Sequence, residues 1–256
     1  MKLPFIISLP HCSGEIPERI RQAMVLTRKE MVNAVDLGTR EIFGCMPAER
    51  ILCAKWSRLV VDLNRPPHQR DAKGPVALTD YHGRSIYKGN AIPDERKIAQ
   101  RLTSYYKPYH RQLEKAIAEP RIKGLLDCHS LQNIGPPEAP DSGIKRKDII
   151  LGNNGGPDGE CNPLRGEWSC APALLKFMKQ EFQTAGFSVS LNVPYAGGFI
   201  VTHYGPALAQ NGKMALQIEI NQDLYVDTET EEIIPEKVAD VRSGLFKCFQ
   251  AIGSAI

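Results

Sequence analysis

GLLDCHSLQ, residues 124–132, decides how this chain is read. It opens as the short apolar run of a buried strand, after a glycine, and ends in Asp127, Cys128 and His129. A strand that only fills a core needs none of those three side chains; a metal site or a nucleophile site does. Successive side chains of a strand point to opposite faces, so Asp127 and His129 share one face and Cys128 takes the other. His129 is therefore badly placed to serve Cys128 as a base, and Cys128 reads as a buried, inert thiol. Asp127 is placed to orient His129 or a neighbouring ligand.

Outward from this strand, short apolar runs alternate with amphipathic stretches. FIISLP (5–10), one or two segments within 51–64, DIILG (148–152), FSVSLNVPY (187–195), FIVTHY (199–204) and MALQIEINQ (214–222) read as strands. Residues 17–34, 94–119, 171–185 and 235–253 read as helices, with Asp94 as an N-cap. The rest of 133–168, rich in Gly, Pro, Asp and Asn, reads as loop. Strands alternating with long helices predict an α/β architecture around a parallel or mixed sheet. In such sheets ligands bind beyond the carboxyl ends of the strands.

Bulk composition narrows the function. The 256 residues suit one large domain or two small ones, and 42% hydrophobic with 24% charged residues is ordinary for a globular chain. A net charge of +3, without a basic tail, argues against a nucleic-acid partner. LPFIISLP near the start falls far short of the ~20 apolar residues of a membrane span and lacks a signal-peptide cleavage site, so no membrane partner is expected. Seven cysteines without a CxxC pair fit a reducing cytoplasm, although Cys161 and Cys170 stand close enough in sequence to consider as a pair.

The candidate chemistry gathers at strand ends. His11 follows FIISLP, and His129 ends GLLDCH. Two histidines and one carboxylate suffice for a hydrolytic zinc site with room for a water. Two carboxylates compete for the third place: Glu15, favoured by spacing, and Asp36 in VDLGTREIF. Glu219, in an otherwise apolar strand, is costly to bury unless paired or functional, and suits a general base. Arg65, after Asn64 in VVDLNRPP, is able to grip a carboxylate bidentately. The glycines of NVPYAGGFIVTHYG permit a tight bend or close approach to a ligand, and that stretch also carries Tyr195, Thr202 and His203.

Taken in order, PHCSG, DLGTREIFG, VVDLNRPP, YYKPYHRQL, LLDCHSL, DIILGN, PYAGGFIVTHYG and ALQIEINQDLY resemble the N-formylglutamate amidohydrolase family, from residue 4 to about 227. The resemblance implies a single catalytic domain over 1–256, related in fold to zinc carboxypeptidases and aspartoacylase-type deacylases, with a mixed, mostly parallel sheet of about eight strands flanked by helices. It implies one Zn²⁺ per chain, held by His11, His129 and an acidic residue, with Glu219 as general base. The carboxypeptidase HxxE spacing fails, because Gly14 stands at its glutamate. Asp36, in an acid-x-Gly-Thr element similar to that of a related poly-γ-glutamate hydrolase group, is preferred over Glu15. Asn64 and Arg65 look like the receivers of a substrate carboxylate; His110, Tyr195, Thr202 and His203 match positions lining the pocket. The implied substrate is a small N-acyl amino acid, by default N-formyl-L-glutamate, with another acyl amino acid or a γ-glutamyl bond as the alternative. A metal-free carboxylate-binding protein on the same scaffold is the reading of a different class.

Overall fold

The computed structural model describes residues 2–227 and 229–256. Its strands are β1 (Leu3–Leu9), β2 (Ala48–Cys53), β3 (Gly124–Leu131), β4 (Ile149–Gly152), β5 (Val189–Leu191) and β6 (Met214–Asn221). They form one sheet in the order β2-β1-β3-β6-β4-β5, parallel except where β4 meets β6. The sheet is thus mixed and mostly parallel, as the alternation of runs implies. It has six strands among the described residues, where about eight were expected.

Two expected strands account for the difference. FIVTHY begins a helix, α7 (Phe199–Ala209), after Asn64 Oδ1 accepts the Ile200 N–H at 2.7 Å. Ile200, Val201, Tyr204 and Leu208 make its buried face, but Phe199, Pro206, Ala207 and Ala209 lie off that face and are apolar too, so the 3.6-residue period is blurred in the sequence. LVVDLN is a run of turns: Val60 N–H donates to Ser57 O, and Asp62 Oδ1 accepts the Asn64 N–H at 2.9 Å. Side-chain-to-backbone bonds of this kind divert a chain from sheet pairing.

The other helices are α1 (Glu18–Arg21), α2 (Arg28–Val32), α3 (Thr39–Phe43), α4 (Glu95–Arg101), α5 (Lys107–Ile117), α6 (Pro172–Thr184) and α8 (Pro235–Ala255). The stretch read as one helix over 17–34 is broken into α1 and α2. The expected helix over 94–119 is real, with the Asp94 cap accepting the Lys97 N–H at 2.8 Å. A π turn, Leu102–Tyr106, interrupts it just before Pro108, whose ring and missing N–H disfavour a regular turn.

Layering follows from strand alternation. Phe5 faces α8, its ring 6.4 Å from that of Phe249; Ser8, on the opposite side of β1, reaches Tyr109 of α5 at 2.9 Å. Ser8 also donates to Asp127 Oδ1 at 2.7 Å, so Asp127 and His129 lie on the α5 face. In-register pairing of β3 with β6 sets Gln217 beside Asp127 and Glu219 beside His129 on that face. The carboxyl ends of β1, β3 and β6 therefore converge on one side of the sheet. All seven cysteines are free, so Cys161 and Cys170 do not pair, and Cys128 is buried as expected. No helix among the described residues is long and apolar enough to cross a membrane.

Candidate active site

His11 lies two residues beyond β1 and is buried; its Nε2 faces Asp62 Oδ1 at 2.7 Å. His129 is equally buried, and its Nε2 faces Asp127 Oδ2 at 2.9 Å. A carboxylate accepts only, so each histidine donates its Nε2–H outward and keeps a lone pair on Nδ1. Both Nδ1 atoms point to one spot, 3.1 Å apart.

Asp36 completes the spot. Its Oδ2 lies 2.9 Å from His129 Nδ1 and 3.5 Å from His11 Nδ1. The acid-x-Gly-Thr element explains how it arrives. Gly38 adopts φ 77°, and a Cβ there would overlap the Tyr225 ring; Thr39 returns its hydroxyl to Asp36 O at 2.7 Å. The Asp36 N–H donates to His11 O, tying the two segments together. Glu15, the alternative ligand, is exposed and does not line the cavity.

Three acceptor atoms at 2.9, 3.1 and 3.5 Å repel one another unless a cation or a proton lies among them. Neighbouring ligands of a tetrahedral ion with ~2.0–2.1 Å bonds sit roughly 3.3 Å apart, so the trio fits a small divalent ion. His11, Asp36 and His129 are also the one group with metal-ligating geometry among the described residues. Burial alone would raise the Asp36 carboxyl, but His11 and His129 hold it below the usual carboxylate range. Burial would lower His129, but Asp127, then Asp36 and Glu219, push it well above the usual imidazole value. A proton thus occupies this spot in competition with any cation, whose binding would release it.

Glu219 stands beside His129 across the β3–β6 pair. Burial pushes its carboxyl up to about 7, against the pull of His129. Gln217 Nε2 donates to its Oε1 at 2.9 Å, and Gln217 Oε1 accepts the Gly198 N–H at 2.6 Å. The amide of Gln217 thereby fixes both the carboxylate and the loop in front of it.

A cavity of about 420 Å³ opens over these groups. It is lined by His11, Asp36, His129 and Glu219, and by Asn64, Arg65 and Tyr195. His110, Thr202 and His203 do not reach it. His110 lies in α5 between Leu63 O (3.0 Å) and Tyr204 OH (2.9 Å). The Thr202 hydroxyl donates back to Gly198 O at 3.0 Å, and His203 stacks on Phe199. Asn64 touches the cavity, but its amide is engaged inside the protein: Nδ2 donates to Asp127 Oδ2 at 3.0 Å, and Oδ1 receives the start of α7. A Cβ at Gly198 would overlap that amide, so this glycine serves close approach to Asn64 and not to a ligand. Arg65 is the freer of the pair, about one-third exposed and 3.3 Å from Tyr81 OH.

With the geometry described, relatedness decides the family. The family model described as N-formylglutamate amidohydrolase matches residues 3–226. The chain belongs to this family. It is similar to the N-formylglutamate deformylase of Pseudomonas aeruginosa, 28% identical over 89% of this chain and 84% of that protein. A like-named Pseudomonas putida protein is 27% identical over 90% and 84% of the two chains. A solved N-formylglutamate amidohydrolase structure from Ralstonia eutropha superposes with a TM-score of 0.77 at 22% identity, covering 100% of this chain and 94% of the other. A gene product of Agrobacterium tumefaciens gives 0.70 at 20% identity, over 98% and 91%. At those identities the structural likeness speaks for the shared fold.

Several residues of this amidohydrolase-family site escaped the sequence reading. Asp62 holds His11 and also receives Arg58 Nη2 at 2.7 Å. Burial would raise the Asp62 carboxyl, but Arg58 and then His11 hold it well below the usual range. Arg146, almost wholly buried, is gripped bidentately by Asp141 at 2.7 Å on both arms. Asp62 stood in the motif VVDLNRPP, two residues before Asn64, but nothing in the sequence links it to a histidine 51 positions away.

Proposed function

We propose that this protein is a zinc-dependent amidohydrolase that converts N-formyl-L-glutamate and water to formate and glutamate, on a carboxypeptidase-like scaffold. The observation that carries the reading is the convergence of two imidazole lone pairs and the Asp36 carboxylate beside Glu219, at the floor of a cavity sized for a small substrate. The family membership and the names of the relatives supply the substrate.

His11, Asp36 and His129 would hold the metal. When bound there, a divalent ion supplies Lewis-acid polarisation of the amide carbonyl and a water of lowered pKa. The Glu219 carboxylate takes a proton from the attacking water as its oxygen adds to the formyl carbon. The same proton passes to the leaving nitrogen as the C–N bond breaks. A carboxyl raised by burial is suited to both steps, since its affinity for a proton lies close to neutrality. Arg65, in the cavity wall, pairs with the substrate α-carboxylate and so sets the amide over the floor. Asp62 and Asp127 keep the two imidazoles in tautomer and orientation, and the Asn64 amide holds Asp127 in place.

The test is Glu219→Gln, which preserves shape and removes the base. Turnover of N-formyl-L-glutamate is expected to fall roughly 10²–10⁴-fold while one equivalent of zinc is retained. Near-normal turnover by the variant contradicts the role given to Glu219.

A further inference from the structure

Four arginines line the cavity, and they are not equivalent. Arg58 is paired with Asp62, and Arg146 with Asp141, each at 2.7 Å, so both guanidinium groups already have a carboxylate partner. Arg65 has a hydroxyl at 3.3 Å and only a loose carboxylate contact at 3.9 Å. Arg165 is exposed and, among the described residues, has no acidic partner within 4.0 Å and no side-chain hydrogen bond; only its backbone is bonded. The cavity thus presents two guanidinium groups without a close carboxylate partner, and the proposed substrate carries two carboxylates.

The loop that carries Arg165 is fastened in place. Asn154 adopts φ 67°, uncommon for a residue other than glycine, although asparagine tolerates it better than most. From that position Asn154 Nδ2 donates to Arg165 O at 2.9 Å and to Glu167 O at 3.0 Å. The Asn154 N–H donates to Ala196 O at 2.6 Å, in the wall formed by Tyr195–Gly198. Asn153 braces the base of the same loop through Gly159 O and Cys170 O, both at 2.9 Å. A stretch rich in glycine and proline is in this way held to the cavity wall.

We propose that Arg165 is the specificity-determining residue that receives the side-chain carboxylate of the substrate, with Asn154 positioning its loop. This inference rests on the proposed N-formylglutamate reading. Arg65 lies close to Asp62 and hence to the His11 end of the site, which suits the α-carboxylate next to the scissile amide. The γ-carboxylate lies two methylenes further out and falls to Arg165. Planar bidentate pairing with a carboxylate is what distinguishes arginine from lysine at such a position.

The test compares N-formyl-L-glutamate with N-formyl-L-glutamine, an isostere lacking only the side-chain charge, on the zinc-loaded protein. For Arg165→Gln, kcat/KM on the glutamate substrate is expected to fall roughly tenfold to a hundredfold, while the glutamine substrate changes little. Arg165→Lys should restore part of the difference. Asn154→Ala should lower the glutamate-to-glutamine ratio in the same direction, which a general loss of stability does not do. An unchanged ratio in Arg165→Gln overturns the inference while wild-type activity upholds the proposed function; an unchanged ratio in Asn154→Ala removes the positioning role. A wild-type protein that cleaves neither substrate overturns the proposed function, and this inference with it.

Discussion

Asp62 joins His11, 51 residues away, to two groups of its own segment. It accepts from His11, from the Asn64 N–H and from Arg58, and all three contacts are between 2.7 and 2.9 Å. A carboxylate behind a metal-binding imidazole fixes the tautomer and raises the basicity of the facing nitrogen. Asp62→Asn retains an acceptor for His11 but loses the charge. Zinc affinity, measured by competition with a chromophoric chelator, is expected to fall roughly 10–100-fold. An unchanged affinity would show that Asp62 only packs. The residues that face the site were legible where they stand at strand ends, as His11 and His129 do. Asp62 was not, because its motif read as a strand and its partner is fixed only by the tertiary fold. Asn64 was read as a substrate contact for a related reason: a motif names the residue types but not which way an amide is engaged.

At the scale of elements, α5 and α7 meet through His110, which bridges Leu63 O and Tyr204 OH. Burial lowers its pKa to about 4, so the folded protein keeps this imidazole neutral where the unfolded chain, near 6.5, protonates it. Between those values the unfolded state binds more protons, so the contribution to stability is full above pH 6.5 and is lost as pH falls towards 4. The difference amounts to roughly 3 kcal/mol. Urea unfolding at pH 7 and pH 4.5 should show a smaller acid loss in His110→Gln than in wild type. Equal losses would contradict the assignment. The sequence placed His110 in the right helix but not its role, because a buried bridging histidine and a pocket histidine have the same local pattern. α7 was missed for the opposite reason. Phe199, Pro206, Ala207 and Ala209 carry apolar character beyond its buried face, and a helix with so weak a polar contrast has the sequence of a buried strand.

For the molecule as a whole, the sheet order β2-β1-β3-β6-β4-β5 is what makes a site from residues 11, 36, 129 and 219. Parallel pairing of β1, β3 and β6 puts their carboxyl ends side by side and so brings His11, His129 and Glu219 together, while the loop before α3 adds Asp36 through its N–H bond to His11 O. This much was legible from alternating elements and polar strand ends. The loop at 153–168 was not, since its shape depends on Asn153 and Asn154 reaching backbone groups that no periodicity marks. The central claim is that His11, Asp36 and His129 hold a zinc ion needed for deformylation. The most direct measurement is glutamate release from N-formyl-L-glutamate by protein as purified, after exhaustive chelation, and after zinc is added back. The account predicts activity, its loss with the metal, and recovery at one zinc per chain. Full activity in protein shown to be free of metal, or none in protein holding one zinc per chain, would contradict it.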